Sequence, residues 1–227
     1  MEENGTITDE RRRALIVELD FAAANGAELL FDTAKAVLAK HGIDLSRKLE
    51  AGYLAGFSYT TGVTTLAKAL EKEVTVGDIT SELSESFKEA LNKVVPSTVG
   101  DGLKELAAAL AEKGVYTVLD TRADAEAVKA AFAGNDKVFV CEELSTSYGS
   151  LKIEAWKRIC NTYSICAPMS VALTGSGISV RSALIAGLSA VCVENPHVAY
   201  QDFSGADLVT DSISRDLAPD ILRLMKV

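Results

Sequence analysis

The sequence predicts an α/β fold: a doubly wound parallel sheet of Rossmann-like type with a small all-helical insertion after its first strand. Three observations carry this. Beyond residue 96, apolar runs of four to six residues alternate with helical stretches of 8 to 12. Strands covered on both faces lose the polar alternation of a half-exposed sheet, so continuous apolar runs between helices specify parallel strands. One more run of this kind, Ala14-Leu15-Ile16-Val17, stands far ahead of the others, and the intervening residues 24–94 carry only helical periodicity.

In chain order, Ala14 to Val17 reads as a buried strand that turns acidic at Glu18-Leu19-Asp20. Between Ala27 and His41 the residues Leu30, Ala34, Val37 and Leu38 recur at helical spacing, and Gly42 ends the run. Leu45 to Gly56 and Thr64 to Lys72 are further helices. Ile79 to Val94 sets Leu83, Phe87, Ala90, Leu91 and Val94 on one stripe. Pro96 breaks the pattern. The insertion is therefore placed at 24–94, and the α/β portion at 1–23 with 95–227. There, Leu103 to Lys113 is a helix closed by Gly114, and Val115 to Leu119 a strand ending in Asp120-Thr121. Asp124 to Phe132 is helix, Lys137 to Cys141 strand, Leu151 to Thr162 helix, and Ser170 to Leu173 strand. Arg181 to Ala186 is helix and Ala190 to Val193 strand. Right-handed crossovers then put the working surface at the carboxyl ends of the strands.

The 227 residues suffice for one domain with a smaller insertion and a substantial core. Lys plus Arg number 23 against 32 Asp plus Glu, and the resulting charge of −9 repels a phosphate backbone, so nucleic acid is not expected as a partner. No stretch reaches the roughly 18 uncharged apolar residues that span a bilayer. Met1 to Arg13 has neither the apolar centre of a signal peptide nor the acid-free character of a transit peptide. No membrane partner and a cytoplasmic location are the expectations. Cys141, Cys160, Cys166 and Cys192 form no C-x-x-C pair, and only His41 and His197 accompany them. This composition reads as buried thiols in a reducing compartment, not as a zinc site.

The strand ends gather Glu18 and Asp20, then Asp120 and Thr121, then Thr174-Gly175-Ser176-Gly177, with Lys152 opening the helix before the last of these. This order resembles the haloacid dehalogenase-like (HAD) superfamily over residues 14 to 213. The family's first motif, an apolar strand followed by Asp-x-Asp-Gly-Thr, falls on Ala14 to Ala22. Pro96-Ser97-Thr98-Val99 resembles the return from cap to core. Val118-Leu119-Asp120-Thr121 matches the second motif, whose hydroxyl binds the substrate phosphate. Lys152 stands at the third motif's lysine, with Ile153 where many members have proline. Ala172 to Val180 falls on the fourth motif, and Gly205 to Val209 resembles a common late strand. The resemblance implies a HAD-like core with a helical cap, Glu18 and Asp20 in the catalytic positions, and Thr121, Lys152 and Ser176 toward substrate.

The departures bear on function. In the family the first Asp attacks phosphorus, the second is general acid and base, and the nucleophile shares Mg2+ with a fourth-motif Asp. Here the first position is Glu18, whose oxygen reaches about 1.5 Å further, and a misplacement of ~1 Å costs on the order of 100-fold in rate. Both acidic positions of the fourth motif are lost, to Gly175 and Ser179, and Phe21-Ala22 replaces Gly-Thr. Mg2+ needs octahedral oxygen ligation anchored by carboxylates. Without it, each pair of like charges at 4 Å costs about 4 kcal/mol at an effective dielectric of 20, and phosphoryl transfer loses its main source of charge neutralisation. The expectation is a degenerate member, with no metal or cofactor firmly held, that does not act as a Mg-dependent phosphatase and is kept as a binding or assembly scaffold. A small anionic molecule is its expected partner, and oligomer formation is left open. The alternative is a hydrolase of weak or unusual activity using Glu18 or Asp20.

Each residue also has a plainer reading. Glu18 and Asp20 can be solvated strand-end acids, Thr121 a cap for the helix near Asp124, and Lys152 a structural counter-charge to Glu18. Gly175-Ser176-Gly177 offers N–H groups to an anion and, with Glu194 19 residues on, imitates a dinucleotide fingerprint; Val180 replaces its third glycine, so the match is accidental. His41 reads as a helix end and Trp156 as a core aromatic. Tyr53, Phe57 and Tyr59 read as packing within the insertion, or alternatively as a contact surface for oligomers.

Overall fold

A computed structural model of the chain describes residues 11–142 and 147–227; most of the N-terminal stretch read above for targeting, residues 1–10, lies outside these. Six parallel strands form one sheet in the order β3-β2-β1-β4-β5-β6. They are β1 (Ala14–Glu18), β2 (Tyr116–Thr121), β3 (Val138–Glu142), β4 (Val171–Thr174), β5 (Ser189–Val193) and β6 (Leu208–Thr210). The chain builds outward from β1 to β3, then crosses to β4 and builds the other way. The switch lies between β1 and β4, where doubly wound sheets open a crevice at the strand ends.

The helices follow the apolar stripes. After β1 come α1 (Leu19–Ala22), α2 (Gly26–Lys40), α3 (Arg47–Leu49), a π-helical turn over Glu50–Leu54, α4 (Tyr59–Ala69) and α5 (Val76–Thr98). The helix expected over Leu45–Gly56 is thus a short turn plus a π segment, and α4 starts earlier than its apolar stripe because Ser58 caps it, accepting from Thr61 N at 3.1 Å. Pro96 does not break α5, whose backbone stays helical to Thr98; a proline in a last turn forfeits one N–H without ending the helix. The sheet is then flanked by α6 (Asp101–Glu112), α7 (Ala125–Ala130), α8 (Ile153–Thr162), α9 (Gly177–Ile185) and α10 (Ala218–Leu224). The helix predicted from Arg181 begins four residues sooner, at Gly177.

One apolar cluster joins Leu15, Val17 and Leu119 of the sheet to Leu30, Phe87 and Leu91 of α2 and α5. A second lies on the opposite face, around Ile16, Val118, Trp156 and Ile159. Trp156 is the core aromatic expected, with its indole N–H donating to Ser182 Oγ at 2.9 Å. His41 closes α2 as the sequence suggests. Among the described residues the cysteines form no disulfide. Among the described residues no helix is long and apolar enough to cross a membrane.

Candidate functional site

The register fixes the site. Glu18 stands beside Asp120, and Val17 beside Leu173, so the end of β1 lies between Asp120-Thr121 and Thr174 at the switch point. Glu18 ends its strand, while Asp20 already lies in the first turn of α1.

Neither acid is solvated, in contrast to the plainer reading: Glu18 is fully buried and Asp20 nearly so. The Glu18 carboxyl lies in a cage of neutral donors. Thr174 Oγ1 donates to Oε2, while Ser179 Oγ and the Leu151 backbone N–H each reach Oε1 at 3.0 Å. Burial pushes its pKa up to about 7, against the pull of the Thr174 bond, the Arg122 charge, Ser179 and Leu151. A charged form deprived of water is disfavoured even where hydrogen bonds partly compensate.

Asp20 is held differently. Thr121 Oγ1 donates to its Oδ1 at 2.6 Å, and Arg122 supplies both its backbone N–H at 3.0 Å and its Nη1 at 3.2 Å to Oδ2. The guanidinium is 8% exposed and lies over the rings of Phe21 and Phe87. Burial opposes its charge, but the facing acidic groups of Tyr59, Asp20, Asp120 and Glu18 outweigh burial and hold its pKa above the ordinary guanidinium value.

The remaining residues singled out in the sequence separate. Thr121 does not cap α7; Asp124 does, accepting from Glu126 N and Ala127 N. The Thr121 hydroxyl is committed to Asp20 and accepts from Ala123 N at 3.0 Å. Lys152 is not the counter-charge of Glu18: its Nζ donates to the carbonyl of Gly56, across to the helical segment, and burial lowers its pKa. Ser176 caps α9, accepting from Ser179 N at 3.4 Å and donating to Gln201 Oε1 at 3.1 Å. Of the aromatic trio, Tyr59 is buried, Tyr53 half-buried and Phe57 exposed. Glu18, Asp20 and Thr121 therefore meet at the strand ends, whereas Lys152 and Ser176 point to other partners.

The sequence reading overlooked Arg122 and the donor roles of Thr174 and Ser179. The adjacency of Arg122 to Thr121 was the available signal. The helical segment closes over this edge: Tyr148 N donates to Phe57 O at 2.9 Å, Ser58 bridges Ser147, and Gly56 packs on Ile178.

The resemblance implies a divalent cation at this edge, whose ligands would come from the carboxyl groups of Glu18 and Asp20. Both Glu18 oxygens already accept hydrogen bonds, Asp20 accepts three, and the Thr174 hydroxyl faces Glu18 as a donor. At Gly175 a Cβ would lie 2.2 Å from the Phe21 carbonyl oxygen, so the turn of α1 fills the space a side chain would need. Octahedral Mg2+ needs carboxylate oxygens free to ligate, and in this arrangement the oxygens of Glu18 and Asp20 are engaged in the hydrogen bonds above.

No protein-family model and no curated protein matches the chain. Solved structures do. CbbY from Rhodobacter sphaeroides in complex with phosphate superposes with a TM-score of 0.67 at 18% identity, covering 95% of this chain and 100% of that one. β-Phosphoglucomutase from Clostridium difficile gives 0.69 at 16%, covering 95% and 97%. A phosphonoacetaldehyde hydrolase-like protein from Oleispira antarctica gives 0.67 at 14%, covering 100% and 97%. With the parallel six-stranded sheet and the helices inserted after β1, these similarities establish the chain's fold as that of the haloacid dehalogenase-like phosphatases and phosphoglucomutases.

Proposed function

We infer that this HAD-fold protein is not a Mg-dependent phosphatase and serves as a binding scaffold, its helical segment 24–94 acting as a cap over the strand ends. The observation that carries the reading is Glu18, buried and held by Thr174, Ser179 and Leu151. An in-line nucleophile needs an oxygen free to meet phosphorus, and each oxygen of this carboxyl is already engaged. Asp20, in the general acid position, is tied to Arg122 and Thr121. The cationic Lys152 is turned to Gly56.

A weak hydrolase would need a carboxylate and Lys152 converging on one anion. Their separate partners count against it. A reducing, cytoplasmic setting suits four cysteines that form no disulfide, and a small anionic molecule remains the proposed occupant.

Hydrolysis of p-nitrophenyl phosphate and a metabolite panel in Mg2+, with calorimetric titration of Mg2+ and of inorganic phosphate, tests the reading. No turnover and no saturable heat are expected. Turnover that disappears in Glu18→Ala would sink it.

A further inference from the structure

Several polar ties between the helical segment and the α/β portion meet at one ring. His197 sits in the turn after β5, within the 3-10 helix Pro196–Val198. Its Nδ1 lies 3.2 Å from Arg47 Nη2, and its Nε2 lies 3.1 Å from Glu28 Oε2. A guanidinium offers donors only, so the Arg47 contact is a hydrogen bond only while Nδ1 is bare and the ring is neutral, its proton on Nε2 toward Glu28. Arg47 carries the chain of contacts inward. Its Nη1 donates to Glu50 Oε2 at 3.1 Å, its guanidinium covers the Phe31 ring at 3.6 Å, and the other Glu50 oxygen accepts from the Tyr148 hydroxyl at 3.0 Å.

These contacts close a cavity. Phe21, Leu30, Glu50, Tyr148, Val198 and Tyr200 are among the residues around a space of about 20 Å3, which is room for roughly one water. Residues 47–55, comprising α3, the π-helical turn and Ala55, form its rim on the helical side, and of these only Glu50 and Leu54 are buried. So little apolar burial leaves the position of this stretch to its polar ties.

We propose that His197 is a pH-operated latch on residues 47–55: neutral, it holds Arg47 and keeps the cavity shut; protonated, it releases Arg47 and lets the stretch lift. An imidazole changes charge between roughly pH 8 and pH 5. A proton on Nδ1 replaces an acceptor with a donor and sets two cationic N–H groups against each other at the 3.2 Å contact. On the opposite edge of the ring Nε2 gains an ion pair with Glu28, itself fixed by the Asn25 amide at 2.8 Å. The ring therefore stays with α2 and lets go of α3. Among the described residues the charged groups facing His197 are Glu28 from α2, Arg47 from α3 and Glu50 from the π-helical turn, while Glu194 at the end of β5 lines the same surface crevice.

Hydrogen exchange of the full chain at pH 7.5 and pH 5.5, corrected for the intrinsic rate of each amide, tests the latch. It is read at Glu50 and Gly56, whose N–H groups donate to Ser46 O and Tyr148 O. In the wild type their protection should fall about tenfold on acidification while the β1 amides keep theirs. In His197→Gln it should not change with pH, and in Arg47→Met it should be low at both pH values. The ring 15N shifts of the wild type at pH 7.5, which need no variant, should show a bare Nδ1 and a protonated Nε2. A wild type without the fall overturns the proposal, as does an equal fall in His197→Gln or Arg47→Met, or a neutral ring carrying its proton on Nδ1.

Discussion

Glu18 takes its hydrogen bonds from two hydroxyls and a backbone amide, and this sets its response to pH. Unfolded, a glutamate titrates near 4.5; in the fold, burial carries it to about 7. The native state thus binds the proton more tightly than the unfolded chain does. The sign follows: this group's contribution is whole below pH 4.5 and is lost as pH rises through 7, by about 3 kcal/mol in all. Glu18→Gln cannot ionise and escapes the loss. Urea midpoints measured at pH 5 and pH 8 should show the wild type losing about 2.5 kcal/mol relative to Glu18→Gln, and parallel losses in the two proteins would refute the assignment. The Asp20–Arg122 pair is a different case, because removing one partner strands the other. Asp20→Ala leaves a buried guanidinium without its counter-ion and should destabilise by roughly 3–5 kcal/mol, read as a fall in the urea midpoint; a change under 1 kcal/mol would mean that the pair is open to water.

At the level of elements, the turn α1 and the end of β4 compete for one volume. A Cβ at Gly175 would lie 2.2 Å from the Phe21 carbonyl oxygen, and one at Gly26 2.4 Å from the Asp20 carbonyl oxygen. Backbone oxygens cannot swing aside as a side-chain tip can, so Gly175→Ala should cost about 1–3 kcal/mol or more. Gly77, near the start of α5, has nothing within 4 Å of its Cβ position, so Gly77→Ala should gain up to ~1 kcal/mol from helix propensity. Thermal midpoints moving in opposite directions would verify both; two losses of equal size would show that the contrast in packing does not matter. The inner strands β1, β2, β4 and β5 were readable in the sequence because they are buried almost throughout, leaving apolar runs such as Leu15 to Val17 and Val118-Leu119 that admit little else. The Glu18 cage was not readable. Its donors lie more than 130 residues away, and one is a main-chain N–H with no residue identity. The contact of Lys152 with the Gly56 carbonyl was hidden for a related reason, since a carbonyl partner leaves no trace in composition. The start of α9 was missed because Ser176-Gly177 resembles a loop until the Ser176 hydroxyl is seen to cap it.

For the whole molecule, the decisive feature is that the helices inserted after β1 share one apolar core with the sheet. Leu30, Leu83, Phe87 and Leu91 belong to the same buried cluster as Val17, Leu119 and Leu173. Polar ties cross the same boundary. Glu50 accepts from Tyr148 Oη at 3.0 Å and from Arg47 Nη1 at 3.1 Å, Arg47 Nη2 reaches His197 Nδ1 at 3.2 Å, and His197 Nε2 reaches Glu28 at 3.1 Å. Opening the helices away from the strands exposes apolar surface on both sides of the boundary, and each 100 Å² so exposed costs about 2.5 kcal/mol. An intermediate with the helices released is therefore expected to be too costly to populate. The two faces of the sheet offer independent reporters, since Trp156 lies in the second cluster, while Tyr59 and Tyr148 pack edge to face beneath the helices. Unfolding in urea followed by Trp156 fluorescence and by the near-ultraviolet circular dichroism of a Trp156→Phe protein should give a single transition for each protein, with the same cooperativity. A tyrosine signal lost at distinctly lower urea in that variant, while its far-ultraviolet signal persists, would mean that the helices come away first and that the sheet stands without them.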